Sequence, residues 1–164
     1  MQCGSTNISQ MNQRSLIIVK PDALQRNLLG EIIHRFERIG LKLVCLKMGR
    51  IDDVKIVEHY SHHADKPFFA DLKRFMQSSP VVMMVLEGYE AIDTIRLIVG
   101  PTKGRAADAG SIRGDFAMSV QYNIIHASDS DESAKAEVAR FFSKDELFNY
   151  DKIDSHLIYG ADER

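Results

Sequence analysis

The chain has 164 residues, 45% of them hydrophobic and 27% charged, with a formal net charge of −2. That length and apolar content suit one compact domain with its own core, and the near-neutral balance excludes a global attraction to nucleic acid or an anionic membrane, so any anion site must be built locally. Two cysteines, Cys3 and Cys45, make neither a metal-ligand spacing nor a disulfide framework, which fits a reducing compartment.

Residues 1–14 are polar and read as a loose N-terminal arm ahead of a single domain at 15–164. They lack the apolar run of a secretory signal and the Arg-rich pattern of a transit peptide. Gly4 is not placed for N-myristoylation, and the sequon at Asn7 has no secretory context. No apolar run approaches the roughly 20 residues of a membrane helix, so the expectation is a cytoplasmic protein with no membrane partner.

SLIIVK (15–20) is a β-branched run stopped at Pro21, which opens a helix at its first turn. LLGEIIHRFERIG (28–40) places Leu28, Ile32, Ile33, Phe36 and Ile39 at helical spacing before Gly40, a C-terminal stop. Residues 41–51 alternate as a strand, and DDVKIVEHYSHH (52–63) starts on a capping Asp and reads as a helix. Another helix follows Pro67. PVVMMVLEG (80–88) is apolar at consecutive positions, as a central strand requires, and residues 89–100 form a helix ending at Gly100.

Residues 101–115, PTKGRAADAGSIRGD, are Gly/Ala-rich and basic with no apolar period, and read as a long loop. FAMSVQ (116–121) is assigned as the last strand. DESAKAEVARFF (131–142) begins with acidic residues suited to a helix N-terminus and carries Ala134, Val138, Phe141 and Phe142 on an apolar face. The alternating order implies an α+β ferredoxin-like sandwich: a four-stranded antiparallel sheet, helices packed on it, and a long loop before the last strand.

Loops that long inside a compact domain usually have a function. This one carries Thr102, Lys103, Arg105 and Arg113, and the preceding helix carries Arg96, which together make an anion clamp. GPTKGR lacks the spacing of a P-loop, so phosphate would be held by side chains rather than by wrapped backbone amides. Taken singly, each arginine reads as a solvated charge, and His126 as a half-buried residue at a strand end. What raises them is convergence, because His126 stands directly before an acidic helix start.

IVKPDALQRNLLGEII (18–33), HY with KPFFADL (59–60, 66–72), SSPVVMMVLEG (78–88), IRGDFAMS (112–119) and NIIHASDSDESA (123–134) resemble the nucleoside diphosphate kinases in order and spacing. The likeness runs over about residues 15–159. It implies ping-pong transfer of a γ-phosphoryl from a nucleoside triphosphate to a nucleoside diphosphate, with His126 as carrier. Neutral imidazole is a competent nucleophile near pH 7. By the same resemblance Glu137 holds the proton on the other ring nitrogen, with Ser128 in support. Lys20 serves the ribose and the transferring phosphoryl, and Asn123 the ribose hydroxyls. Arg96 and Thr102 contact the β-phosphate, Arg113 the γ-phosphoryl, and Tyr60 places His126 or the phosphate. Phe68 stacks on the base beside Leu72 and Val120. Taken alone, Glu137 reads as a solvent-facing helix residue, and the last three as core packing.

The resemblance also implies Mg²⁺ bound with the nucleotide phosphates rather than in a protein cage, with Asp129 reaching it through water. His59, His62 and His63 read as a solvated helix end and not as a zinc site. Two positions depart from the family: Ala127 stands where relatives have Gly, which implies a strained backbone or a gentler turn, and Gly104 replaces a Pro, which implies a loop less firmly anchored by about 0.5–1 kcal/mol. The tail segment IYG (158–160) resembles the hexameric branch, so the expected assembly is a homo-hexamer rather than a tetramer. The alternative reading is a ferredoxin-like module binding nucleotides or single-stranded nucleic acid without catalysis. Against it stand the missing basic surplus and the missing aromatic strand motif.

Overall fold

The computed structural model describes residues 12–161 and 163. The expected arm lies outside the described residues as far as residue 11, together with Cys3, Gly4 and Asn7. Residues 12–14 are already strand, because β1 (Asn12–Val19) starts three positions before the apolar run. The other strands are β2 (Lys42–Gly49), β3 (Val81–Tyr89) and β4 (Ile125–Ala127). They form one four-stranded sheet in the order β2-β3-β1-β4, and every pairing is antiparallel. This is the expected ferredoxin-like α+β architecture.

The helices are α1 (Pro21–Gln25), α2 (Leu29–Arg38), α3 (Asp53–His59), α4 (Phe69–Gln77), α5 (Ala91–Val99), α6 (Ile112–Phe116), α7 (Asp131–Phe141) and α8 (Ser155–Ile158). Their ends follow local chemistry. Pro21 opens α1, where a missing N–H costs nothing, and the Asp52 side chain accepts from the Lys55 amide at 2.7 Å to cap α3. Gly40 ends α2 with a φ of 95°, a conformation that side chains with a Cβ resist.

Both faces of the sheet are covered, which is why β1 reads as a continuous apolar run rather than an alternating one. Ile17 and Val19 meet Val82, Met84 and Leu86 under Ile32 and Phe36 of α2 and Ile95 of α5. Leu16 and Ile18 meet Val81, Met83 and Val85 under Ile56 of α3, Phe75 of α4 and Val138 of α7. Ile39, expected on the apolar face of α2, is instead 42% exposed.

Residues 116–121 do not form the expected strand. The edge of β1 is taken by β4, whose Ile125, His126 and Ala127 pair with Val19, Ile18 and Ile17. Met118 and Val120 face outward, and the Ser119 hydroxyl accepts from the amides of Gln121 and Tyr122, which turns the chain. The long loop is also more ordered than expected, because Ser111 caps α6 by accepting from the Gly114 amide at 3.0 Å. Gly104 is buried, and a Cβ there would lie 2.4 Å from the Ala117 carbonyl oxygen. A side chain at 104 would therefore collide with backbone.

Candidate active site

The pairing of Ile18 with His126 decides where the imidazole goes. Directly opposed residues share a face, so His126 joins Leu16 and Ile18 on the side covered by α3, α4 and α7, while Ile125 and Ala127 enter the other core. Just before the strand, Ile124 has a φ of 75° and the Ile125 amide donates to the Asn123 carbonyl at 2.8 Å. This is a γ-turn of the strained, positive-φ kind, at a β-branched residue that resists it. Its neighbours hold it: the Ile124 amide donates to Asp22 Oδ2 at 3.0 Å, and its carbonyl accepts from the Lys20 amide at 2.9 Å. Ala127 is buried strand and is not among the residues with positive φ, so the gentler of the two expected backbones holds.

Glu137 comes down from α7 onto this ring. Its Oε2 lies 3.0 Å from His126 Nε2 and accepts from the Ser128 hydroxyl at 2.7 Å. Ser128 Oγ in turn accepts from the Leu16 amide at 3.1 Å, which ties the pair to β1. Burial pushes the Glu137 carboxyl up, but the hydrogen bonds and charge of His126 and the Ser128 hydroxyl outweigh it and hold the group below its ordinary range. A carboxylate at Nε2 keeps the proton there and leaves Nδ1 with its lone pair.

His59 is the residue that the sequence reading misplaced. It is not on a solvated helix end: its side chain is fully buried, its ring is edge-on to His126 at 4.5 Å between centroids, and its Nδ1 is 3.8 Å from Glu137 Oε1. Neither ring nitrogen has a hydrogen-bond partner among the described residues. Burial, with the neighbouring His126, lowers its pKa to about 3. His62 and His63 stay outside the cluster, their rings 4.0 Å apart. Tyr60 is buried beside His59 with no partner for its hydroxyl among the described residues, and burial together with Glu137 raises its pKa.

The cationic end is assembled from three distant stretches. Lys20, 7% exposed, donates to Asn123 Oδ1 at 2.6 Å, and Asn123 Nδ2 donates to the Thr102 carbonyl at 3.0 Å. Burial, and secondarily Arg113, lower the Lys20 pKa to about 8 against the opposing pull of Asp22. Arg113 is 8% exposed and donates to the carbonyls of Asn123, Gly100 and Ile125 at 3.3, 2.8 and 2.6 Å. It is thus a structural tie for the loop and β4 as well as a charge in the site. Arg96 is exposed at the rim.

These groups line one cleft of about 820 Å³, within the usual range for a small-molecule site. Its other end holds Phe68, Leu72 and Val120. Leu72 belongs to the core, but Phe68 and Val120 are each 48% exposed, so core packing does not explain those two. The cleft brings together the site residues expected from the family resemblance except Ser128, which lies behind Glu137, whereas Lys103 and Arg105 of the expected anion clamp do not line it.

Carboxylates suited to caging a hard divalent cation are sparse here. Among the described residues the one cluster with metal-ligand spacing is His59, His126 and Glu137, which is richer in nitrogen than Mg²⁺ prefers. Asp129 lines the cleft, and hydrogen bonding to Ser133 helps hold its carboxyl ionised. The donor set fits an ion brought in on phosphates, with Asp129 as the carboxylate available to it.

Two inward-facing polar residues carried a periodic signal that their charge obscured. Glu137 stands at i+3 from Ala134 and i−4 from Phe141, and His59 at i+3 from Ile56 beside Tyr60. All four of those neighbours are buried, so each polar residue lies on the inner stripe of its helix.

The family model described as nucleoside diphosphate kinase matches residues 13–147. A nucleoside diphosphate kinase of Methanobrevibacter smithii is 52% identical over 149 residues, covering 91% of this chain and 99% of the relative. One from Archaeoglobus fulgidus is 48% identical over 147 residues, covering 90% and 97%. The structure of a halophilic nucleoside diphosphate kinase from Halobacterium salinarum in complex with CDP superposes with a TM-score of 0.89 at 42% identity, covering 91% of this chain and 99% of that one.

Proposed function

The chain belongs to the nucleoside diphosphate kinase family and has its enzyme activity, and from that membership we propose that His126 carries the phosphoryl group between the two nucleotides. The observation that carries this is the 3.0 Å contact of His126 Nε2 with a Glu137 carboxylate that Ser128 also anchors. Nδ1 attacks the γ-phosphorus, the bond to the β-phosphate oxygen breaks, and the diphosphate leaves. The ring then carries a positive charge, which Glu137 offsets across Nε2–H. A second nucleoside diphosphate reverses these steps. A phosphoramidate keeps enough transfer potential for the return leg to proceed with little net free-energy change.

Lys20, Arg96, Thr102 and Arg113 bind phosphates, and Lys20 with Asn123 binds the sugar; in-line phosphoryl transfer depends mainly on such positioning and charge stabilisation. Tyr60 supports the ring. When bound with the nucleotide, the family's divalent ion, which we take as Mg²⁺ with Asp129 near it, neutralises phosphate charge. Phe68, Leu72 and Val120 offer the base a stacking surface without a hydrogen-bond pattern, so purine and pyrimidine triphosphates should all serve. We expect kcat/KM to span about two decades at most across bases.

We further propose a cytoplasmic homo-hexamer of a single catalytic domain that includes β1 from Asn12 onward, so that the proposed arm is confined to residues 1–11; the IYG tail and the resemblance support the assembly. The non-catalytic alternative is not favoured by family matches over nearly the whole chain. His126→Ala should abolish transfer, and acid-labile labelling by γ-labelled ATP, while nucleotide binding persists. A variant keeping more than about a hundredth of kcat, a loss under roughly 2.7 kcal/mol, would show that His126 is not the obligatory carrier.

A further inference from the structure

Behind the phosphoryl-transfer face of the site, His59, which the proposed reaction does not use, joins His126 and Glu137 in one set of donors. One nitrogen each of His59 and His126 and one oxygen of Glu137 lie within 4.8 Å of one another, with Glu137 oxygens 3.0 Å from His126 Nε2 and 3.8 Å from His59 Nδ1. A tetrahedral Zn²⁺ with bonds near 2.0–2.1 Å needs donors roughly 3.3 Å apart, so modest side-chain rotations close the set. The His59 side chain is fully buried, yet neither nitrogen has a hydrogen-bond partner among the described residues. Buried polar atoms left this way are rare and call for an occupant.

We propose that His59, His126 and Glu137 form a binding site for a borderline-soft divalent cation of the Zn²⁺ class, and that its occupancy switches phosphoryl transfer off. The donor chemistry selects the metal. Two imidazoles and one carboxylate make the three-protein-ligand set that Zn²⁺ accepts, with the fourth position open to water or to an oxygen in the cleft. Mg²⁺, which needs oxygen donors and keeps its waters, has no reason to enter.

The inhibition follows from the tautomer. A metal on His126 Nε2 takes the lone pair of that nitrogen and leaves the single imidazole proton on Nδ1. The nitrogen that must attack the γ-phosphorus is then protonated and cannot form the bond. This second part rests on the reading of His126 as the carrier, whereas metal binding does not.

The test uses the untagged full chain with Co²⁺ and Zn²⁺ as the added probes. One equivalent of Co²⁺ should give the intense visible bands of a four-coordinate ion, Zn²⁺ should displace it, and ¹⁵N resonances of two histidines should move in the wild-type protein. His59→Gln should weaken binding by about tenfold or more, as should Glu137→Gln. The double variant His62→Gln/His63→Gln should bind as wild type does. Zn²⁺ should slow transfer in proportion to site occupancy, each variant being compared with its own metal-free rate at saturating MgATP. Weak octahedral bands, unchanged affinity in His59→Gln, or loss of binding only in the His62/His63 variant would overturn the site. If four-coordinate Co²⁺ fills the site and transfer continues undiminished, the site stands and the assignment of His126 as carrier falls.

Discussion

Lys20 ties stability and activity to pH with opposite signs. The ammonium is 7% exposed, its nearest partner is the neutral Asn123 Oδ1 at 2.6 Å, and burial and Arg113 bring its pKa from 10.5 to about 8. That difference corresponds to roughly 3 kcal/mol of bias against the charged form in the nucleotide-free fold. The unfolded chain holds the proton up to pH 10.5 and the folded chain releases it near 8. Between those values the unfolded state binds more protons, so the Lys20 contribution to stability becomes more favourable as pH rises, by up to about 3 kcal/mol. In the role proposed for Lys20 nucleotide binding uses the ammonium, so kcat/KM should turn down above pH about 8, approaching a tenfold loss per pH unit. In the saturated complex the phosphates favour the charged form, and the limb in kcat should move to higher pH. Urea unfolding of wild type and Lys20→Met from pH 7 to 10, with kinetics on the same samples, tests both halves. The stability advantage of Lys20→Met over wild type should shrink across that range. A kcat/KM flat to pH 9.5, or an identical limb in Lys20→Met, would refute the reasoning.

Glu137→Gln keeps an acceptor near His126 Nε2 but removes the charge that, in the proposed mechanism, offsets the phosphorylated ring. It should lower kcat by about 10–100-fold with little change in nucleotide affinity by calorimetry; an equal loss in affinity would make Glu137 a binding residue instead. Gly104→Ala should destabilise the fold by about 1–3 kcal/mol, because the new Cβ would meet Ala117 backbone at 2.4 Å. The unfolded-chain entropy argument alone predicts a gain of about 0.4–1 kcal/mol, so the sign of the shift in urea midpoint decides between them.

How much of this was legible beforehand varies element by element. Pro21, Gly40, Asp52 and the acidic start of α7 act within a few residues of themselves, so their chemistry marks helix ends wherever the chain goes. The continuous apolar runs of β1 and β3 likewise announced strands buried on both faces. The last strand was not legible, because β4 is three residues long, too short for a period, and its claim on the β1 edge over 116–121 depends on a partner more than a hundred positions away. Family motifs pointed to the candidate site residues, and helical spacing carried a sign that Glu137 and His59 face inward. Only the folded chain decides their chemistry. Lys20 and Asn123, 103 positions apart, come to 2.6 Å, and His59, 4% exposed, is buried against His126. The composition of a segment sets which groups can ionise or ligate, but desolvation and proximity decide whether they do, and both are properties of packing rather than of order along the chain.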